Sequence, residues 1–113
     1  MPMGTPTLPP GVTMRFVHCS GEAAVAETRL ERGAVVPRHR HDSLQVSVVL
    51  RGRLLLGVEG GGEEALGPGD YRVIPPGAWH WARALEDTVV LDINTPLTSD
   101  RKRLAEALGH ECG

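Results

Sequence analysis

The chain consists mostly of short apolar runs that are separated by glycine and proline. Each run has about the length of one strand, and apolar positions that alternate with polar ones are typical of strands that bury one face. Gly33 and Gly77 fall between runs, where turns are expected, and VLRGRLLLG predicts a tight hairpin around Arg51 and Gly52. The predicted strands are VTMRFVH, AVAETRLE, LQVSVVL, RLLLGVE, YRVIP and TVVLDIN. Many short strands predict an all-β fold, an antiparallel sandwich or a small antiparallel β-barrel.

The two ends of the chain differ from this β-rich middle. Residues 1–11 carry four prolines and two glycines, which disfavour a helix and predict an extended Pro-rich arm. Residues 12–98 are expected to form the barrel. Residues 99–113 are expected to form a short C-terminal helix and a tail, with Ser99 as the helix cap and Gly109 as its end.

Composition and charge exclude several classes of protein. The 113 residues suffice for one domain, and the net charge is −2 with no long run of one sign, which argues against nucleic acid and anionic membranes as partners. No stretch approaches the roughly 20 apolar residues that cross a bilayer, and the N-terminus lacks a signal pattern. Cys19 and Cys112 are interpreted as two reduced thiols, although a disulfide between them stays open. We therefore expect a soluble cytoplasmic protein.

Three of the five histidines fall in two segments whose spacing predicts a metal site. His39 and His41 are two positions apart, so they project from the same face of a strand. Gln45 can return to that side through a short turn, and His80 can enter from a neighbouring strand after the PPG turn. Three imidazole nitrogens and one carbonyl oxygen suit a divalent ion such as Fe, Mn, Ni, Co, Cu or Zn. We therefore predict that these four side chains bind one divalent metal ion.

Simpler interpretations of the same histidines remain open. The segment PRHRH also fits an exposed basic loop that binds phosphate or nothing. His80, between Trp79 and Trp81, also fits a packed histidine under an aromatic lid. A single H-x-H is weak evidence for a metal site, so the metal interpretation depends on the joint spacing of the two segments.

The run TVVLDIN carries an acidic residue among apolar neighbours. Strand alternation places Val90, Asp92 and Asn94 on one face. Asp92 is either a rim aspartate that caps a turn before Pro96, or a catalytic acid/base carboxylate aimed at the ligand of the metal. We expect the catalytic role. Tyr71 is a candidate substrate-binding residue at the cavity, with packing in the core or at the rim as its alternative.

The two histidine segments together resemble the two signature motifs of the cupin superfamily. The first motif, G-x5-H-x-H-x3-E-x6-G, is matched with Gln45 in place of glutamate, and the second, G-x5-P-x-G-x2-H-x3-N, with Ala84 in place of asparagine. The matching residues are Gly33, His39, His41, Gly52, Gly69, Pro75, Gly77 and His80. The resemblance implies a small jelly-roll barrel with a metal-binding face inside. It implies less about the reaction, because this fold hosts oxygenases, isomerases, storage proteins and sensors.

The replacement of glutamate by Gln45 changes the charge of the predicted site. A neutral amide leaves the metal ion its full positive charge, which makes the ion a stronger Lewis acid. Such a site favours polarisation of a carbonyl or hydroxyl, or binding of an anion. Gln45 is either a direct ligand or a hydrogen-bonding neighbour of a three-histidine site.

Within the superfamily, the chain resembles the single-domain cupins of pectin and alginate degradation, which convert unsaturated uronates to linear keto forms. Asp92 and Pro96 match the D-x-x-x-P ending of the last strand in that group. Asn94 stands where the group has an aromatic residue, and Thr98 where it has an arginine that would hold a sugar carboxylate. The resemblance implies a sugar-acid-like substrate, for which we name Asn94 and Arg29 as candidate contacts.

Three functions fit these features. The first is a metal-dependent enzyme that isomerises or tautomerises a small polar metabolite. The second is a metal-dependent dioxygenase, and the third is a non-enzymatic cupin that binds or senses a small ligand. We expect an enzyme that acts as a homodimer, because small barrels present an apolar outer sheet.

Overall fold

The computed structural model describes residues 8–113, which form two antiparallel sheets and a C-terminal helix. The elements are β1 (Val12–Cys19), β2 (Ala24–Leu30), β3 (Val35–His39), β4 (Leu44–Arg51), β5 (Leu54–Val58), β6 (Gly62–Leu66), β7 (Tyr71–Ile74), β8 (His80–Ala84), β9 (Thr88–Thr95) and α1 (Ser99–Ala107). The predicted all-β barrel with a short C-terminal helix is confirmed. Residues 1–7 of the predicted arm lie outside the described residues.

The chain crosses between the two sheets several times, which the sequence pattern did not indicate. One sheet has the order β1-β2-β9-β4-β7 and the other has the order β3-β8-β5-β6. The predicted hairpin around Arg51 and Gly52 is wrong, because β4 and β5 belong to different sheets. Gly52 has a φ of 83°, and a Cβ there would lie 2.2 Å from the carbonyl oxygen of Asp87. A glycine is therefore required where the chain crosses from one sheet to the other.

The inward-facing residues change from apolar to polar along the central strands. At one end, Val49 of β4 pairs with Val90 of β9 in the main apolar core. Two positions further along, Ser47 pairs with Asp92. The barrel interior is therefore packed with aliphatic side chains at one end and lined by polar side chains at the other. Further members of the apolar core are Leu30, Leu54, Leu56, Val58, Leu66 and Ile74.

Helix α1 packs against the first two strands at the polar end of the barrel. Ala105 is fully buried against a second apolar cluster that includes Phe16, Ala24 and Ala26. These three residues lie at buried positions of β1 and β2. The helix thus covers a part of the five-stranded sheet next to the polar cavity, which brings its first turn to the site described below.

The ends of α1 agree only partly with the sequence prediction. The N-cap residue is Thr98, whose side chain makes no capping hydrogen bond, so the prediction of Ser99 as the cap is wrong. Gly109 ends the helix with a φ of 86°, and the amide of His110 donates to the carbonyl of Ala105 at 2.9 Å, as in a Schellman motif. No helix among residues 8–113 is long and apolar enough to cross a membrane.

Cys19 and Cys112 form a disulfide, with their Cα atoms 4.6 Å apart. The interpretation as two reduced thiols is therefore wrong. The tail returns along the end of β1, where the amide of Gly113 donates to the carbonyl of Cys19 at 3.3 Å. Because cytosolic proteins rarely keep disulfides, this bond does not favour the cytoplasmic location, which stays a prediction.

Candidate metal centre

Three of the predicted ligands come together at the polar end of the barrel. His39 of β3 is the direct cross-strand partner of His80 of β8, and His41 follows two residues after His39. The ring centroids of His39 and His80 are 4.1 Å apart, and His41 lies 4.8 Å from the first and 5.3 Å from the second. One nitrogen from each of the three rings lies within 4.8 Å of the others. Such a cluster could hold one metal ion.

Each of the three imidazoles is held in place by a hydrogen bond from its Nδ1 atom. The Nδ1 atoms of His39 and His80 donate to the carbonyls of Pro37 and Ala78, at 2.7 Å and 3.0 Å. Nδ1 of His41 donates to the carboxylate of Asp100 at 3.1 Å. Each ring therefore keeps its Nε2 lone pair for the inside of the cluster, as metal-binding histidines do.

Burial keeps these imidazoles neutral. Desolvation lowers the pKa of His39 and of His80 below the ordinary value of 6.5. It also lowers the pKa of His41 to about 4, and the charge of Arg101 adds to that shift. A neutral imidazole is the form that binds a metal ion, so near neutral pH the three rings are in that form.

Within residues 8–113, the buried Nε2 atom of His80 has no hydrogen-bond partner. A buried nitrogen without a partner is costly, and a divalent ion between the three rings would satisfy it. Three neutral nitrogens with fixed orientation are a donor set that suits Zn, Fe, Ni, Co, Cu or Mn. The residues present therefore fit a divalent ion, and His39, His41 and His80 would hold it.

Two residues of α1 reach the cluster, and neither was predicted from the sequence. Arg101 is 7% exposed, and its Nη2 donates to Nε2 of His41 at 2.8 Å. Asp100 lies at the opposite nitrogen of the same ring. One signal was available, because Arg101 lies three and four positions before Leu104 and Ala105, on the side of the helix that packs against the barrel.

Gln45 lies on the wall beside the histidines and is 6% exposed. Its Oε1 accepts from Nδ2 of Asn94 at 3.1 Å, and Nη2 of Arg101 lies 3.5 Å from the same oxygen. Its Nε2 donates to Oγ of Ser47 at 3.0 Å. The amide is thus fixed by its neighbours, and its role as a metal ligand stays a prediction.

Asp92 lies next to Gln45 on the same polar wall and lines the cavity. Oγ of Ser47 donates to one carboxylate oxygen at 2.7 Å, and Oγ1 of Thr28 donates to the other at 2.8 Å. Nε2 of Gln45 lies 3.5 Å from the first of these oxygens. These contacts fix a carboxylate that faces the cavity, whereas the alternative role as a turn cap finds no support in its hydrogen bonds.

The cavity has a volume of about 800 Å³ and combines a polar wall with an apolar one. The polar wall carries the three histidines, Gln45, Ser47, Asp92 and Arg101. The apolar wall includes Val36, Leu54, Leu56, Trp81 and Val90. A concave site of this size, with few polar groups on an apolar background, is typical of a site for a small molecule.

The other predicted substrate contacts lie elsewhere. Tyr71 is 65% exposed on the outside of β7, and Arg29 forms an exposed ion pair with Glu27 at 2.9 Å. Neither of them lines this cavity. Asn94 is 2% exposed and donates to Oε1 of Gln45 and to Oγ of Ser43. It therefore fixes the orientation of Gln45 in the polar wall without lining the cavity itself.

In the segment PRHRH, the two arginines have different partners from the two histidines. Arg38 pairs with Glu59 at 2.5 Å, and the guanidinium of Arg40 lies 4.7 Å over the ring of Trp79. The histidines turn to His80 instead. The interpretation of this segment as an exposed basic loop therefore fits the arginines and not the histidines.

The family model of the cupin domain matches residues 26–94, which contain both histidine segments. The solved structure of KdgF from a Halomonas species is 31% identical, with a TM-score of 0.77 over 84% of this chain and 87% of that chain. An RmlC-like cupin from Shewanella frigidimarina is 26% identical, with a TM-score of 0.75 over 80% of each chain. No curated protein matches the chain in sequence. The chain belongs to the cupin family.

More distant structures share the fold alone. An oxalate decarboxylase from Bacillus subtilis is 22% identical, with a TM-score of 0.73 over 83% of this chain and 28% of that chain. The likeness to KdgF agrees with the resemblance to the pectin-degradation cupins that the sequence motifs indicated.

Proposed function

We propose that this cupin is a metal-dependent enzyme that isomerises a small sugar-acid-like metabolite. The observation that carries the proposal is the position of Asp92. Its carboxylate is fixed by Ser47 and Thr28 on the wall of the cavity that also contains the three histidines. A fixed carboxylate in the same cavity as three metal-binding histidines can move a proton on a substrate that is held there.

Each residue has a defined task in this proposal. The bound ion would polarise a carbonyl or hydroxyl oxygen of the substrate. His39, His41 and His80 hold the ion, and Asp92 takes a proton from one atom of the substrate and returns it to another. An isomerisation of this kind leaves the composition of the substrate unchanged, so it needs no oxidant and no second substrate.

The buried guanidinium of Arg101 supports an acidic substrate. Thr98 replaces the arginine that the uronate cupins carry after the last strand, but Arg101 lines the cavity from α1. A planar guanidinium matches a carboxylate through two parallel hydrogen bonds. An unsaturated uronate has a carboxylate for this contact and an oxygen for the ion.

The test uses unsaturated uronates that a pectin lyase or an alginate lyase releases from its polymer. The metal-loaded protein should remove the ultraviolet absorbance of the conjugated double bond, and Asp92→Asn should retain the ion but lose turnover by at least about 100-fold. Asp42→Asn, which changes an exposed aspartate, is the matched control. Full turnover by Asp92→Asn would remove Asp92 from the mechanism, and an inert metal-loaded wild type would reject this class of substrate.

The three neutral nitrogens also favour a second candidate, a dioxygenase, because they leave coordination positions open for oxygen and substrate. Oxygen uptake and product mass separate the two enzymes. A dioxygenase consumes oxygen and adds its mass to the product, whereas an isomerase does neither. A ligand that binds tightly and is recovered unchanged would instead favour a binding or sensor cupin.

We also propose that the outer face of β4 and β7 joins two copies of the chain. Tyr71 and Val73 of β7 are 65% and 47% exposed there, and they lie opposite Val48 and Val46 of β4. A contiguous apolar patch on a sheet surface favours contact with another apolar surface. Val73→Lys should convert the dimer to a monomer in light scattering, and a monomeric wild type would contradict the proposal.

A further inference from the structure

Arg101 occupies the place that a metal ion would need at His41. Its Nη2 lies 2.8 Å from Nε2 of His41, the nitrogen that faces the interior of the histidine cluster. That nitrogen has one lone pair, which either accepts a hydrogen bond from the guanidinium or binds an ion. A divalent ion on His41 therefore requires the guanidinium to move away.

The hydrogen bonds of the guanidinium do not use all of its donors. In the part of the chain that the structure describes, its Nε has no hydrogen-bond partner, and its second contact from Nη2, to Oε1 of Gln45, is long at 3.5 Å. The two nearby carboxylates are engaged elsewhere. Asp92 accepts from Ser47 and Thr28, and Asp100 accepts from Thr98 and His41. The charges of Asp92 and Asp100 still stabilise the buried guanidinium from a distance, but neither carboxylate accepts a hydrogen bond from it within residues 8–113, so it keeps an unpaired donor at Nε.

We propose that Arg101 couples metal binding to the binding of a carboxylate ligand in this cavity. Without the ligand, the guanidinium competes for His41 and repels the ion. A carboxylate that accepts hydrogen bonds from Arg101 draws the guanidinium off Nε2 of His41 and lowers the positive charge of the site. The inference rests on the metal site of the proposed function. It adds that the ion and the carboxylate ligand each raise the affinity of the protein for the other.

A carboxylate is the ligand chemistry that this geometry favours. It offers two oxygens to the guanidinium fork and one negative charge against the combined charge of the ion and Arg101. A neutral sugar offers neither. Coupling between two ligands is reciprocal, so the ion must also raise the affinity for the carboxylate by the same factor.

The experiment is a titration of the metal-free protein with Co²⁺, followed by the visible absorbance of the bound ion. It is done alone, with D-galacturonate and with D-galactose. The dissociation constant for Co²⁺ should fall at least about fivefold in galacturonate and stay unchanged in galactose. An equal affinity in all three titrations would overturn the proposal without the need for any variant.

Variants test whether the side chain of Arg101 is responsible for the coupling between the ion and the carboxylate. Arg101→Gln should bind Co²⁺ more tightly than the wild type in the absence of an anion, and galacturonate should no longer change its affinity. Arg103→Gln removes the same charge from an exposed position of the same helix and should behave like the wild type. Arg101→Lys keeps the charge without the fork, so it should bind Co²⁺ weakly with or without galacturonate. Wild-type coupling in Arg101→Gln would overturn the role of Arg101.

Failure of this inference is distinguishable from failure of the metal site. If His39→Ala and the wild type both fail to bind Co²⁺ under every condition, the proposed metal site is wrong. If the wild type binds Co²⁺, His39→Ala does not, and galacturonate has no effect, only the coupling through Arg101 is wrong. Hydrogen exchange of the α1 amides shows whether Arg101→Gln keeps the helix in place.

Discussion

Asn94 donates a hydrogen bond of 3.1 Å to Oε1 of Gln45, and the two residues are direct partners across β9 and β4. The same amide group of Asn94 donates to Oγ of Ser43 at 3.0 Å. Asn94 was predicted to contact the substrate, but it lies behind the wall of the cavity. It therefore acts on the site through the orientation of Gln45.

The first prediction concerns this hydrogen bond. Asn94→Ala should lower the free energy of unfolding by about 1–3 kcal/mol, because it removes the nearest donor of Oε1 of Gln45 and the donor of Oγ of Ser43, both of which are buried. Urea denaturation measures the change. Asn94→Leu keeps roughly the size of the side chain without a donor or a charge, so it separates loss of the hydrogen bond from loss of volume. An Asn94→Leu variant as stable as the wild type would show that the hydrogen bond contributes nothing.

The second prediction concerns Gln45. Gln45→Leu should weaken Co²⁺ binding by about 10-fold to 100-fold, whether the amide binds the ion or only orients its ligands. Gln45→Glu should strengthen Co²⁺ binding, because it adds a negative charge beside the ion. The same Co²⁺ titration measures both variants. Unchanged affinity in Gln45→Leu would remove Gln45 from the metal site altogether.

The sequence predicted the part of the site that lies within the two motifs. His39, His41 and His80 were placed together because His39 and His41 were expected on one face of a strand, and because the glycines and Pro75 indicated the intervening turns. The three rings do come together, but β3 ends at His39, so the expectation that His41 lies on the same strand is wrong. The inward position of Asp92 followed from the same alternation. The polar wall next to the histidines was therefore largely predictable.

The parts that the sequence did not predict depend on tertiary packing. β6 was not predicted, and β3 and β8 were expected only as strands of unspecified extent that carry His39 and His80, since β3 contains Pro37 and β6 carries two exposed glutamates. At Gly52 the chain passes from one sheet to the other. This crossing depends on the close approach of Gly52 to Asp87, which is 35 residues away from it in sequence. Arg101 enters the cavity only because α1 docks on β1 and β2, and no local pattern fixes where a short helix docks.

The third prediction concerns the pH dependence of the metal-free protein. Burial lowers the pKa of His41 to about 4, from an ordinary value of 6.5. Between these two values the unfolded chain binds a proton at His41 that the folded protein does not bind, so stability must fall as the pH falls. The lowered pKa values of His39 and His80 act in the same direction.

Denaturation of the protein in a metal chelator, at several pH values between 7 and about 4, measures this effect. His41→Gln removes the titrating group and should show a smaller loss of stability over the same range. His18→Gln changes an exposed histidine outside the cluster and is the matched control. An equal pH dependence in the wild type and in His41→Gln would contradict the shifted pKa of His41.

The last prediction concerns the disulfide that holds the C-terminal tail to β1. Cys19 and Cys112 are separated by 93 positions, so the bond closes most of the chain into one loop and restricts the unfolded state. The variant in which both cysteines are replaced by serine should be less stable by about 2–4 kcal/mol. Thiol reductant should destabilise the wild type by a similar amount, and it should leave the double variant unchanged.

Hydrogen exchange shows where the loss of the disulfide acts. The amides of α1 should exchange faster in the double variant than in the wild type, because the tail after the helix is no longer fixed at Cys19 and the helix keeps only its packing through residues such as Ala105. The amides of β4 and β9, at the centre of the five-stranded sheet, should stay protected. Faster exchange in both regions would mean that the bond stabilises the whole barrel, and unchanged exchange in α1 would mean that packing alone holds the helix over the site.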